Sequence, residues 1–135
     1  MASGRDQGGQ LPCDNGGRSG SLGGYQPVTD QDEQSSIQKD LAPLAFQNFT
    51  STHTVTGCMA NTVKPVAYNI TKACKQVVAG TNYAFALSSS YDCTSTSNSP
   101  ATGAVLLNSI VYQPLPSGGQ NAKPQVTRVW NATTS

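Results

Sequence analysis

Residues 30–49, DQDEQSSIQKDLAPLAFQNF, carry the one helical pattern of the chain and decide its fold class. Apolar side chains recur there at spacings of three and four residues, as on one face of a helix, at Ile37, Leu41, Leu44, Ala45 and Phe49. Three acidic residues stand where a helix N-terminus favours negative charge, namely Asp30, Asp32 and Glu33. Pro43 removes the donor to residue 39, so we expect the helix to kink near Lys39 and Asp40, or its regular part to begin there.

The chain after Thr50 is rich in Thr, Val and Tyr and predicts a sheet. Strands are predicted at residues 63–75, 81–91, 104–113 and 125–131. In the second of these, Phe85 and Leu87 alternate with Ala84 and Ala86, which places large side chains on one face and small ones on the other. The small side chains on the second face would let another segment lie close to the sheet. The order of elements predicts an α+β domain, with one helix packed on a curved antiparallel sheet of four to five strands.

The length of 135 residues fits a single folded unit. Residues 1–22 are mostly Gly, Ser, Gln and Asp, with almost nothing to bury, and predict a flexible arm before a folded domain at residues 23–135. The first 25 residues lack the apolar core of a signal peptide, and no window approaches the roughly 20 apolar residues of a membrane span. The expectation is a cytosolic protein, or one whose leader is absent from this sequence.

Charge and residue types exclude several classes of function. Only 11% of the residues are charged and the net charge is +1, so we expect no electrostatic field that would attract nucleic acid or a membrane surface. His53 is the single histidine, and the cysteines lack C-x-x-C spacing, so we expect no metal site and no cofactor. No base, nucleophile and orienting group can be assembled, so we expect no enzyme. We interpret Trp130 as a sheet-packing residue.

The four cysteines allow three complete pairings. We favour Cys58 with Cys93, because antiparallel return of the strands would bring their flanking segments together. Cys13 and Cys74 are then left to pair, to stay free or to bridge to another chain. Three N-x-S/T sequons predict glycosylation and an extracellular location, at Asn48, Asn69 and Asn131.

Three pieces of the chain, in order, resemble the cystatin family. QVVAG at residues 76–80 matches their first-hairpin motif Gln-x-Val-x-Gly, and TNY at residues 81–83 continues it as plant-type cystatins do. LGGY at residues 22–25 resembles their flexible glycine segment. LAPLAF at residues 41–46 is similar to the plant-type helix signature, with Leu44 in place of an aromatic residue and Pro43 as a departure. The resemblance covers about residues 22–131.

Cystatins are tight, reversible inhibitors of papain-like cysteine proteases, with one helix wrapped by an antiparallel sheet. The resemblance therefore implies this fold and this partner. It implies that an N-terminal glycine segment and two hairpin loops insert together into the protease cleft. The protease-binding residues it implies are Gly23, Gly24, Gln76, Val77, Val78, Ala79, Gly80, Pro114 and Leu115.

The residue types in these segments suit insertion into a protease cleft, with one departure. Glycine imposes no side chain where the chain passes a catalytic cysteine. Val77 and Val78 would contribute roughly 1.5 to 3 kcal/mol each if fully buried in the cleft. The second hairpin of the family ends in Pro-Trp, whereas here Leu115 follows Pro114. The missing aromatic area predicts a loss of about 1 to 2 kcal/mol, or about tenfold in affinity.

Other interpretations stay open. Gly23 and Gly24 also fit a linker, and the fold also fits a protein without inhibitory activity. The main alternative is a secreted structural subunit with a cystatin-like fold that assembles through its N-terminal arm or an edge strand. Papain inhibition by a monomer would favour the inhibitor, and large assemblies without inhibition would favour the subunit.

Overall fold

A computed structural model describes residues 10–15, 24–116 and 122–132 of the chain. The main elements, in chain order, are β1 (Gln26–Pro27), α1 (Gln31–Ser36), a π-helical turn (Ile37–Leu41), α2 (Ala42–Thr52), β2 (Lys64–Val78), β3 (Gly80–Thr94), β4 (Pro100–Gln113) and β5 (Gln125–Asn131). A short 3₁₀ turn at Pro12–Asn15 precedes them. The five strands form one antiparallel sheet in the order β1-β2-β3-β4-β5. The expected α+β arrangement, with one helical layer on an antiparallel sheet, is confirmed.

The helical layer begins at Asp30, whose carboxylate accepts a hydrogen bond of 2.9 Å from the backbone N–H of Glu33. It continues beyond Pro43 to Thr52, with the π-helical turn immediately before the proline. In this turn the N–H of Ala42 reaches back to the carbonyl of Ile37, one residue further than in an α-helix. The irregularity therefore falls around Lys39 and Asp40, as the proline predicts.

The helical layer covers the face of the sheet that carries the large side chains. Phe85 and Leu87 are 0% and 1% exposed there, and they pack with Ile37, Leu41 and Phe49 of the helical layer. The helical spacing and the strand alternation therefore predict the main core correctly. Leu44 is only partly buried and packs against the edge of this core.

The opposite face carries a second, smaller core that the sequence analysis did not predict. Leu11 is 2% exposed and packs in one cluster with Cys74, Ala84 and Trp130. Cys13 joins this segment to Cys74 through a disulfide. The small side chains of β3 thus accommodate residues 10–13, and Trp130, 8% exposed, packs on the sheet as expected.

These contacts correct the interpretation of residues 1–22 as an arm with nothing to bury, as far as the described residues 10–15 extend. Composition missed the packing because a single leucine and a single cysteine carry it. The rest of the arm, residues 1–9 and 16–22, lies outside the described part of the chain.

The second disulfide lies at the far end of β3, where the structure joins Cys58 to Cys93, the pair favoured from the sequence. Cys58 also forms an isolated antiparallel bridge with Ser95, so the loop before β2 is fixed against the end of β3. Cys13 takes the first of the three alternatives left for it, and none of the four cysteines is free. Two disulfides indicate folding in an oxidising compartment.

Candidate functional site

The two hairpin loops implied by the resemblance lie at the same end of the sheet. The first joins β2 to β3, and the second follows β4. Thr81, at the start of β3, pairs with Gln113, the last residue of β4. This register places Pro114 and Leu115 beside residues 76–80. We call residues 76–80, Pro114, Leu115 and Gly24 the loop edge.

The first hairpin is a very tight turn. Val78 pairs with Gly80 across the two strands, so that Ala79 alone lies between them. Gly80 has φ +107°, a backbone conformation that favours glycine. Val77 and Val78 are 69% and 46% exposed. The tip therefore presents two aliphatic side chains to solvent.

The base of this hairpin is held by a side-chain pair. The Asn82 amide donates to Gln76 Oε1 at 2.9 Å, across paired positions of β2 and β3. Gln76 is thus a structural partner of the turn in the free protein. Its amide keeps the base of the hairpin polar without adding charge.

Tyr112 of β4 connects the two loops. Its hydroxyl donates to the backbone carbonyl of Ala79 at the tip of the first hairpin. A Cβ atom on Gly80 would lie 2.6 Å from this hydroxyl oxygen. Tyr112 has no distinguishing signal in the sequence, because it looks like an ordinary aromatic residue of a strand, and its role depends on the β3–β4 register.

Gln113 bonds to described residues on both sides of the second loop. Its side-chain amide donates to the carbonyl of Ala122 at 3.0 Å and to that of Pro114 at 3.4 Å. Leu115, 60% exposed, extends beyond the last pair of the β3–β4 ladder. The Leu115 side chain is therefore open to solvent.

The N-terminal segment reaches the same end through β1. Gln26 pairs with Lys75, and the N–H of Val28 donates to Ala73 O at 3.1 Å. Since the pairing is antiparallel, Gly24 precedes β1 on the side of Val77. Gly23 lies outside the described residues, so its predicted contact with a protease has no structural counterpart here.

One charged cluster lies just behind the loop edge. Lys75 Nζ contacts the two carboxylate oxygens of Glu33 at 2.8 and 2.9 Å, and the Tyr83 hydroxyl donates to Glu33 Oε2 at 2.8 Å. Burial, and then the hydrogen bond to Glu33 and its charge, raise the pKa of Tyr83 to about 12. Glu33, in the first turn of α1, also compensates the charge of Lys75. The loop edge is left without an uncompensated charge from this cluster.

The opposite end of the sheet has a different chemistry. The turn between β3 and β4 contains Ser95, Ser97 and Ser99, whose hydroxyl groups lie 2.9 to 3.4 Å apart. These hydrogen bonds are typical of a solvated turn. The two ends of one sheet thus carry a polar turn and an apolar one.

The remaining predicted residues lie on the surface. The three sequon asparagines are exposed: Asn48, Asn69 and Asn131. Asn48 is on α2, while Asn69 is on β2 and Asn131 is on β5. His53 is exposed at the end of α2, with its ring stacked on Phe49 at 4.5 Å.

Within the described residues, no group of three or more His, Cys, Asp or Glu side chains could hold a metal ion. The helices in that part of the chain are too short or too polar to cross a membrane. No family model, curated protein or solved structure matches the chain. The cystatin resemblance therefore rests on the residues quoted above.

Proposed function

We propose that this chain is a secreted, reversible inhibitor of papain-like cysteine proteases with a cystatin-like fold. It acts by inserting the loop edge into the protease cleft and has no catalytic activity of its own. One observation carries the proposal: the described parts of the N-terminal glycine segment and of the two hairpin loops meet at one end of one sheet. A surface that fills a cleft has to be contiguous, and residues distant in sequence meet here through strand pairing.

The chemistry of the loop edge fits a desolvated cleft. Val77, Val78 and Leu115 are exposed aliphatic side chains, and full burial of each would contribute roughly 1.5 to 3 kcal/mol. Residues 76–80, Pro114 and Leu115 carry no charge, so the edge enters a cleft without burying an unpaired ion. The partner is therefore a protease whose cleft is largely apolar around its catalytic cysteine.

The N-terminal side of the edge is fixed before binding. Pairing of β1 with β2 holds the chain just after Gly24, and the disulfide between Cys13 and Cys74 attaches an earlier segment to the same strand. Preorganisation of this kind lowers the entropy lost on association. Both attachments support a binding role for Gly24 beside the first hairpin.

Two of the three proposed glycans, at Asn69 and Asn131, would leave the loop edge open. Asn69 pairs with Ser88, and Asn131 pairs with Leu107. Ser88 lies eight residues along β3 from Gly80, about 25 Å at the rise of a β-strand. Glycans at Asn69 and Asn131 would solubilise a domain with few charges without covering its binding residues.

The test is titration of an active papain-like endopeptidase with the wild-type chain and with Val78→Asp. The aspartate would place an unpaired charge in the cleft, and we expect at least a hundredfold weaker inhibition, since such burial costs several kcal/mol. Val66→Asp is the matched control, because Val66 is 60% exposed on β2, far from the loop edge. Equal inhibition by the wild-type chain and Val78→Asp, or none by the wild-type chain at micromolar concentration, would overturn the proposal.

One observation favours the structural-subunit alternative. Within the described residues, the N-terminal segment pairs with β2 along a short stretch at residues 73–75, which leaves β2 near one side of the sheet, where a further strand can add. Assembly through a free Cys13 is not supported, since Cys13 is bonded within the chain. Size-exclusion chromatography at micromolar concentration separates the candidates, because the inhibitor is expected as a monomer and the subunit as a large assembly.

A further inference from the structure

We infer that Tyr112 is a positioning residue that joins the two loops into one rigid binding edge. The inference rests on the proposed function and extends it to a residue that would not itself need to contact the protease. It is carried by the hydrogen bond from the Tyr112 hydroxyl to the Ala79 carbonyl.

This hydrogen bond links the turn of the first hairpin to β4. Ala79 is the only residue between the paired residues Val78 and Gly80, so its carbonyl belongs to the turn itself. The donor stands on β4, directly before Gln113, whose side chain bonds to the carbonyls of Pro114 and Ala122 in the second loop. A displacement of either loop would therefore strain or break the contact with the other.

The absence of a side chain at Gly80 is part of the same arrangement. A Cβ atom there would lie 2.6 Å from the Tyr112 hydroxyl oxygen and 2.7 Å from the Gln113 carbonyl oxygen. Glycine thus allows the tyrosine to cross the turn as well as supplying the positive φ. The final glycine of the QVVAG segment is explained by contact with β4 in addition to turn geometry.

The exposed valines depend on this hydrogen bond because they receive little support from packing. Val77 and Val78 are 69% and 46% exposed, so packing constrains the hairpin tip only weakly. An unbraced tip would lose its own mobility on entering a cleft, which weakens binding. The Tyr112 hydroxyl removes part of that mobility in the free protein.

The test is Tyr112→Phe, which removes one hydroxyl and keeps the ring. We expect hydrogen exchange at the amides of Ala79 and Gly80 to accelerate, and the inhibition constant to rise roughly fivefold to tenfold, as for the loss of one hydrogen bond. The matched control is Tyr91→Phe, at the opposite end of the sheet. Tyr91 lies over Gly103 in the same way, with its hydroxyl oxygen 2.5 Å from a Cβ built on that glycine. This control should change neither measurement.

Each outcome decides a separate point. Unchanged hydrogen exchange in Tyr112→Phe would show that the Tyr112 hydroxyl does not hold the turn. Faster exchange with an unchanged inhibition constant would show that this hydrogen bond has no role in binding. If the wild-type chain does not inhibit, the proposed function and the role in binding fail together. The exchange comparison then still supports or overturns the hold of Tyr112 on the turn.

Discussion

Removing the disulfide between Cys13 and Cys74 should detach the N-terminal segment from the sheet. The perturbation is the double replacement Cys13→Ala with Cys74→Ala, which leaves no unpaired thiol from this bridge. The bonded residues are 61 positions apart. In the chain-entropy model, losing a cross-link over a loop of that length lowers the free energy of unfolding by about 4 kcal/mol. The melting temperature should fall by roughly 10 °C or more.

The assay follows from where the single tryptophan lies. Trp130 packs with Leu11, Cys74 and Ala84, so its fluorescence reports on whether residues 10–13 cover that face. We expect the emission of the folded double variant to shift to longer wavelength. A truly flexible arm would predict no shift, since residues 10–13 would not cover the indole in the wild type either.

The matched control is Cys58→Ala with Cys93→Ala. These cysteines are 35 residues apart, and the same model gives a similar loss, again about 4 kcal/mol. They lie outside the cluster around Trp130, so the emission of the folded control should stay that of the wild type. Wild-type emission from the Cys13 and Cys74 variant, with a stability loss below about 1 kcal/mol, would refute the reasoning.

Two more predictions concern the loop edge and the cluster behind it. Leu115→Trp should lower the inhibition constant by about tenfold, because an aromatic platform is restored beside Pro114; an equal, tight constant for both chains would show that the second loop does not contact the enzyme. The pKa of Tyr83, about 12 in the folded chain against 10.0 as its ordinary value, predicts a stabilising contribution that is complete below pH 10 and lost as the pH rises towards 12. Ultraviolet difference titration of the wild type, with Tyr83→Phe as the reference, measures the pKa of Tyr83. The same titration of Glu33→Gln should give a lower pKa for Tyr83.

Patterns within one element predict most of the fold. The spacing of Ile37, Leu41 and Phe49 indicates the buried side of the helix, and the alternation of Phe85 with Ala84 indicates the two faces of the sheet. Both follow from helix and strand periodicity, which is local in sequence. The four predicted strands match β2 to β5, with differences at their ends of up to four residues.

Contacts between distant segments were not predictable in the same way. Glu33 and Tyr83 are 50 residues apart, and Tyr112 and Ala79 are 33 apart. Each pair meets only after strand register is set, and register cannot be read from one strand. Leu11 was missed for another reason, since an isolated leucine in a polar segment carries no periodicity.

The contrast between the two ends of the sheet is the strongest argument that the loop edge has a partner. Folding requires only that a turn satisfy its backbone and remain soluble, and the serine turn at residues 95–99 does both. Val77, Val78 and Leu115 add little to the core, because they are 69%, 46% and 60% exposed. Adjacent exposed aliphatic side chains lower solubility, and such patches mark interaction sites. The hydrogen bond from Tyr112 across the first turn favours the preorganisation that a binding surface needs and that a solvent-exposed turn does not.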